Sequence, residues 1–204
     1  YACHPGDRCE VPVEDYVIDI VRDNLLVEIQ TSSFSAAKRK LLDLTARHRL
    51  HLVYPVASEK WIRKLAQDGG AQSSRRKSPK RGTVEQVFAE LVSFPQLLTR
   101  ENFTLEVLLI REEEVRRYDG KRAWRRRGWV THERRLLEVV GRRHLQTPDD
   151  VAALLPADLD EPFTTQDLAE ALGQPRRLAQ QMAYCLRKMG TIQRAGKRQR
   201  SILY

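Results

Sequence analysis

The sequence predicts an α/β fold: a mixed sheet with helical cover, then a helical region ending in helix, turn, helix and hairpin. Three observations predict it. Residues 8–31 hold three Val- and Ile-rich runs split by two-residue acidic breaks, with a helical segment and a further strand behind them. Residues 163–204 hold two helical segments around Gly173-Gln174-Pro175, then two short β-like runs around a basic turn. The composition is globular, 41% hydrophobic and 31% charged over 204 residues, enough for one large domain or two modest ones.

The elements follow in order. Residues 8–13, 16–22 and 25–31 read as strands, with Asp23-Asn24 a good hairpin turn and Glu14-Asp15 a poorer one. A helix from Ser35 to about His48 takes Ser35 as its cap and Leu41, Leu42 and Leu44 as its apolar positions. His51–Val56 reads as a strand closed by Pro55. Residues 68–83, with Gly69-Gly70, serines and Arg75-Arg76-Lys77, read as a loop that adds non-specific phosphate affinity. Val84–Leu91 is helical and Phe103–Ile110 a strand in pattern. A charged stretch, 111–129, places Arg125-Arg126-Arg127 between Trp124 and Trp129. That segment either cradles a nucleic-acid strand or is a solvated turn beside two core tryptophans. Helices are expected around Arg134–Val140 and at Pro148–Leu155, and a final unit from Pro162. The expected division is residues 1–110 and 111–204, with a core at 162–204.

Lys and Arg number 36 against 27 Asp and Glu, a net charge of +9, and the pI is near 9.7. Such a surplus attracts polyanions and says nothing about fold. No run approaches the roughly 18 apolar residues of a membrane helix, and the start lacks the pattern of a signal peptide. Tyr1 is not an initiator Met, so upstream residues are expected. Three cysteines in a chain of this size suggest ordinary thiols and the cytoplasm. Cys3, His4 and Cys9 lack zinc-ligand spacing.

The stretch from Tyr16 to Gln30 carries the chemistry. If Asp23-Asn24 is a two-residue turn, Asp19 lies opposite Glu28, with Gln30 on the same face. Ile18, Ile20, Val27 and Ile29 then fill the other face. The same rule at Glu14-Asp15 sets Glu10 opposite Asp19, making a row of three carboxylates. Two carboxylates about 5 Å apart repel by roughly 3 kcal/mol at an effective dielectric near 20. A hard cation, Mg²⁺ or Mn²⁺, would offset that, and so would nearby basic residues on a solvated face. Val17, Val21 and Leu26 on the carboxylate face suggest a covered face.

Asp19, eight residues, then Glu28-Ile29-Gln30 resembles the PD-(D/E)xK, or restriction-endonuclease-like, nuclease superfamily. The helix and strand that follow match its common core, and Val17–Val56 is similar to an uncharacterised bacterial family of such proteins. The resemblance implies an endonuclease in which Asp19 and Glu28 hold the metal and Gln30 orients water. Glu10 is a candidate third metal ligand. Gln30 stands where the superfamily has Lys, and the upstream helical Glu is missing. Lys38 or Lys40, on the next helix, is a candidate for the absent cation. The alternative is a catalytically inactive nuclease-fold DNA-binding protein.

At the C-terminus, Thr164 caps a helix that Gly173 ends, Pro175 opens Arg176–Met189, and Gly190 stops it. Thr191–Arg194 and Ser201–Tyr204 read as strands around a basic turn. This layout resembles the winged helix-turn-helix family. The resemblance implies base or phosphate contacts by Arg176, Arg177, Gln180 and Gln181, and phosphate contacts by Lys197, Arg198 and Arg200. DNA is the expected partner, and a homodimer is left open.

Overall fold

The computed structural model of the chain describes residues 4–66 and 74–204. Its N-terminal strands are β1 (Arg8–Val13), β2 (Tyr16–Arg22) and β3 (Leu25–Ile29). Both acidic breaks are two-residue turns whose first residue, Glu14 or Asp23, takes a left-handed backbone. Glu14 is a poor residue for that role, and contacts from Arg47 and His48 anchor its carboxylate. The registers are those of the two-residue rule: Val11 faces Ile18, and Ile20 faces Val27.

α1 (Phe34–Leu44) follows, capped by Ser33 rather than Ser35, since the Ser33 side chain accepts from the Ser35 N–H. Its buried stripe is Phe34, Ala37, Leu41 and Leu44, the spacing of one helical face. Phe34 sits edge-on to Tyr54 and stacks on Phe94. β4 (Arg49–Lys64) runs parallel to β3, with Glu28 beside Leu52. Pro55 does not close β4, contrary to expectation. It falls between the last rung to β3, at Val53, and the first to β5 (Ser74–Lys77), at Trp61. Among the described residues it thus lies between those two ladders, where a proline's missing N–H is tolerated. Arg75-Arg76-Lys77, expected in a loop, belongs to β5.

A 3₁₀ turn at Val84–Val87 leads into α2 (Phe88–Leu91). β6 (Phe103–Tyr118) extends well past Ile110 and crosses the expected boundary at 110. β7 (Trp129–Leu145) replaces the helix expected around Arg134–Val140. Leu136, Leu137 and Val140 imitate a helical stripe, but Thr131, Val139 and Val140 are strand formers and β7 lies beside β6. The sheet order is β1-β2-β3-β4-β6-β7, with β5 also on β4, which makes a large mixed sheet in an α/β protein.

The described chain forms two compact units. One comprises residues 1–54, 85–107 and 143–204, the other 55–84 and 108–142. The first holds α3 (Pro148–Ala152), α4 (Thr165–Leu172), α5 (Arg176–Met189) and the hairpin β8 (Gly196–Arg198) and β9 (Ser201–Leu203). Thr164 and Asp167 form a capping box on α4, and Gly173 and Gly190 end α4 and α5 in left-handed conformations. The hairpin's first strand is Gly196–Arg198, not Thr191–Arg194, and Thr164 bridges to Leu203. α5 packs on α4 and also on α2 and residues 95–99. In the second unit, the distal parts of β4 and β6, with β5 and most of β7, frame an acidic network at Glu112, Glu113 and Glu114. No described helix is long and apolar enough to cross a membrane.

Candidate functional site: the Asp19, Glu28 and Lys40 cluster

The β2–β3 hairpin brings Asp19 and Glu28 together, and α1 adds a cation. Asp19 accepts the Ile29 N–H through Oδ2 at 2.6 Å. Glu28 is buried, and its Oε1 lies 2.6 Å from Lys40 Nζ. Lys40 also donates to the Val17 carbonyl at 2.6 Å, so it bridges β2 and β3. Glu28 Oε2 is buried without a hydrogen-bond partner. Burial raises the Glu28 pKa above the usual carboxylate value; Lys40 opposes that rise and the nearby Asp19 charge adds to it. A carboxylate held costly to ionise beside one cation is the kind of group that functional sites collect.

The other expected members are placed differently. Glu10 is exposed with φ 52°, between the rungs Cys9↔Ile20 and Val11↔Ile18. A left-handed backbone takes it out of the pleat, so the three-carboxylate row is not formed. The Gln30 amide donates to Ser32 Oγ at 2.8 Å and to the Ser33 carbonyl at 3.2 Å, at the entry to α1. Lys38, two residues from Lys40 and so turned about 200° around the helix, points elsewhere. It lines a groove of about 350 Å³ with Leu42, Phe94, Arg100, Tyr184 and Lys188. The face carrying Asp19 is covered only in part, since Val21 and Leu26 are buried but Val17 is 58% exposed.

Among the expected DNA contacts, Arg176, Arg177 and Gln180 are exposed at the start of α5, and Gln181 is half-buried. Lys197 and Arg200 are exposed on the hairpin, whereas Arg198 is paired with Asp167 of the α4 cap. The basic charge lies mainly elsewhere. The second unit's residues carry 19 Lys and Arg against eight Asp and Glu, and the first unit's carry 17 against 19. Trp124 is 81% exposed with the Arg125 guanidinium over its ring, while Arg126 is committed to Glu114 and Thr131. Trp129 is half-buried against Tyr118 and under Lys64. Trp61 lies under Arg75 and Lys77.

Sequence reasoning missed a second cluster, His51, Glu106 and His144, whose ligand atoms lie within 4.8 Å of one another. Positions 51, 106 and 144 share no motif spacing, so only the order β4-β6-β7 could have shown it. Among the described residues, no such group of three includes Glu10, Asp19 or Glu28. Cys3 lies outside the described residues, and Cys9 is exposed. Burial pushes the Cys185 thiol up to about 12, which leaves it protonated and inert.

A family profile described as a domain of unknown function, DUF8091, matches residues 1–146. Over 201 residues, 98% of this chain and 78% of the relative, the sequence is 33% identical to an uncharacterized protein of Treponema pallidum (strain Nichols). No solved structure matches.

Proposed function

The chain belongs to the DUF8091 family, and we propose that it is a metal-dependent DNA endonuclease whose reacting groups are Asp19, Glu28 and Lys40. The observation that carries this reading is the meeting of two carboxylates and a lysine where β2, β3 and α1 converge. The order β-β-β-α-β, with β4 parallel to β3, supports it, as does the Asp19…Glu28-Ile29-Gln30 pattern. In this reading Lys40, not Lys38 or Gln30, takes the part of the superfamily's lysine.

The residues fit a divalent cation, because Glu28 Oε2 is a buried oxygen without a partner beside Asp19. Asp19 and Glu28 would hold Mg²⁺ or Mn²⁺, which supplies Lewis acidity toward a phosphoryl oxygen and an acidified water. Lys40 Nζ, fixed by Glu28 and the Val17 carbonyl, sets a positive charge where the phosphoryl group gains negative charge. Gln30 holds the turn into α1 through Ser32 and Ser33, which positions Lys40 rather than water. The second unit's surplus of cations and the exposed Trp124 support capture of a polyanion, and the start of α5 offers a further docking surface in a winged-helix manner.

A second reading is a DNA-binding protein with no cleavage. It is favoured by the commitment of the Asp19 carboxylate to the Ile29 N–H and by the neutralisation of Glu28 by Lys40. Incubation with supercoiled plasmid and Mg²⁺ or Mn²⁺ separates the two. The nuclease reading expects nicked product, lost in Glu28→Ala while gel-shift affinity stays within about twofold. Equal nicking by Glu28→Ala ends the assignment, and gel shifts with no cleavage under either ion favour the second reading.

A further inference from the structure

We propose that His51, Glu106 and His144 form a separate site for a divalent transition-metal ion of the Zn²⁺ class. They come from β4, β6 and β7, adjacent strands of the sheet, and all belong to the first compact unit. His51 Nε2 lies 3.0 Å from Glu106 Oε2, and His144 Nε2 lies 3.4 Å from Glu106 Oε1. Metal–ligand bonds of about 2.0–2.1 Å at tetrahedral angles set ligand atoms about 3.4 Å apart, so this spacing admits an ion after small side-chain rotations. Glu106 is fully buried and His51 nearly so, which fixes two ligands on the sheet scaffold. The His144 side chain is 54% exposed, so the site opens to solvent on its side.

A divalent ion there takes a carboxylate oxygen from Glu106 and a nitrogen lone pair from each imidazole. Two histidines and one carboxylate suit Zn²⁺, Fe²⁺, Co²⁺ or Ni²⁺ better than Mg²⁺, whose preferred ligands are oxygens. Three protein ligands leave a position for water or an exchangeable anion. This site does not depend on the nuclease reading. Val27 pairs with His51 and Glu28 with Leu52, so the pleat sets His51 on the sheet face opposite Glu28.

The test uses the full chain without an affinity tag, stripped of metal and titrated with Zn²⁺ by calorimetry and with Co²⁺ by visible absorption. One equivalent is expected, with the intense d–d bands of low-coordinate Co²⁺. His144→Ala alters an exposed side chain and should keep its melting profile while weakening binding at least ~100-fold, since the loss of even an outer-shell partner costs 10–100-fold. His132→Ala, which removes an exposed histidine outside the cluster, should bind the ion as the parent does. No binding by the parent, undiminished binding by a folded His144→Ala, or an equal loss of binding in His132→Ala would each overturn the site.

Discussion

Glu28 concentrates the tension of the molecule in one residue. Its carboxyl is buried and its pKa raised by desolvation, with Lys40 as partial compensation. A carboxylate whose folded pKa is raised binds its proton more tightly in the native state. Stability therefore falls as pH rises from the ordinary value of 4.5 through the raised one. Glu28→Gln removes that penalty, so its melting temperature at pH 8 should equal or exceed the parent's, and thermal scans at pH 5 and pH 8 would show the gap widening with pH. A melting temperature several degrees lower at pH 8 would mean that the Lys40 pair outweighs the desolvation. The register of the hairpin that carries Asp19 and Glu28, with Ile20 facing Val27, was legible in the sequence because a two-residue turn and a period of two fix it. The cation was legible only as a choice of two. Lys38 and Lys40 flank the buried stripe of α1 on opposite sides, and the sequence does not tell which flank meets the hairpin.

At the scale of elements, the strands that depart most from local pattern are β4, β6 and β7. Each is 16 or 17 residues long, about three times an ordinary strand, and each carries a feature that local pattern takes for an end: Pro55, the acidic run after Ile110, or the helical stripe at Leu136–Val140. Long-range pairing overrides such signals, and a single sequence does not display it. The acidic run is held mainly by partners distant in sequence, with Arg116 close by. Glu112 and Glu114 meet Lys60, Glu113 meets Arg63 and Arg75, and Glu114 also meets Arg116. Burial pushes Glu114 up, but hydrogen bonds from Arg116 and Thr131 and the charges of Arg116 and Lys60 hold it down to about 2. Against an ordinary value of 4.5 this is on the order of 3 kcal/mol, fully present above that value and lost as pH falls toward 2. Glu113 and Glu59 shift in the same direction. Tryptophan fluorescence reports this unit, because Trp61, Trp124 and Trp129 all belong to it. Its acid transition should fall between pH 4.5 and 2, and Glu114→Gln should flatten it. A transition centred near pH 6 would point to histidine instead.

For the whole molecule, the net charge of +9 hides a segregation, since the second unit carries a large cationic surplus and the first a slight acidic one. Net charge was plain in the sequence, but its distribution was not, because the second unit is assembled from two separated segments. The proposed DNA affinity should fall steeply with salt. Replacing exposed Arg122, Arg125 and Arg127 by Ala should reduce the slope of log affinity against log salt by about 1 for each phosphate no longer neutralised. Arg176→Ala with Arg177→Ala tests the contribution of α5 in the same titration. An unchanged slope in the first variant and a large change in the second would move the proposed DNA-binding surface to the C-terminal helices.

The most direct measurement is the single-turnover rate of supercoiled-plasmid nicking in Mn²⁺ by the parent, Lys40→Ala and Lys38→Ala. Catalysis by the hairpin cluster requires measurable nicking by the parent, a loss of about 100-fold or more in Lys40→Ala, and a rate near the parent's in Lys38→Ala. Nicking that survives in Lys40→Ala, or that disappears only with Lys38→Ala, would contradict it.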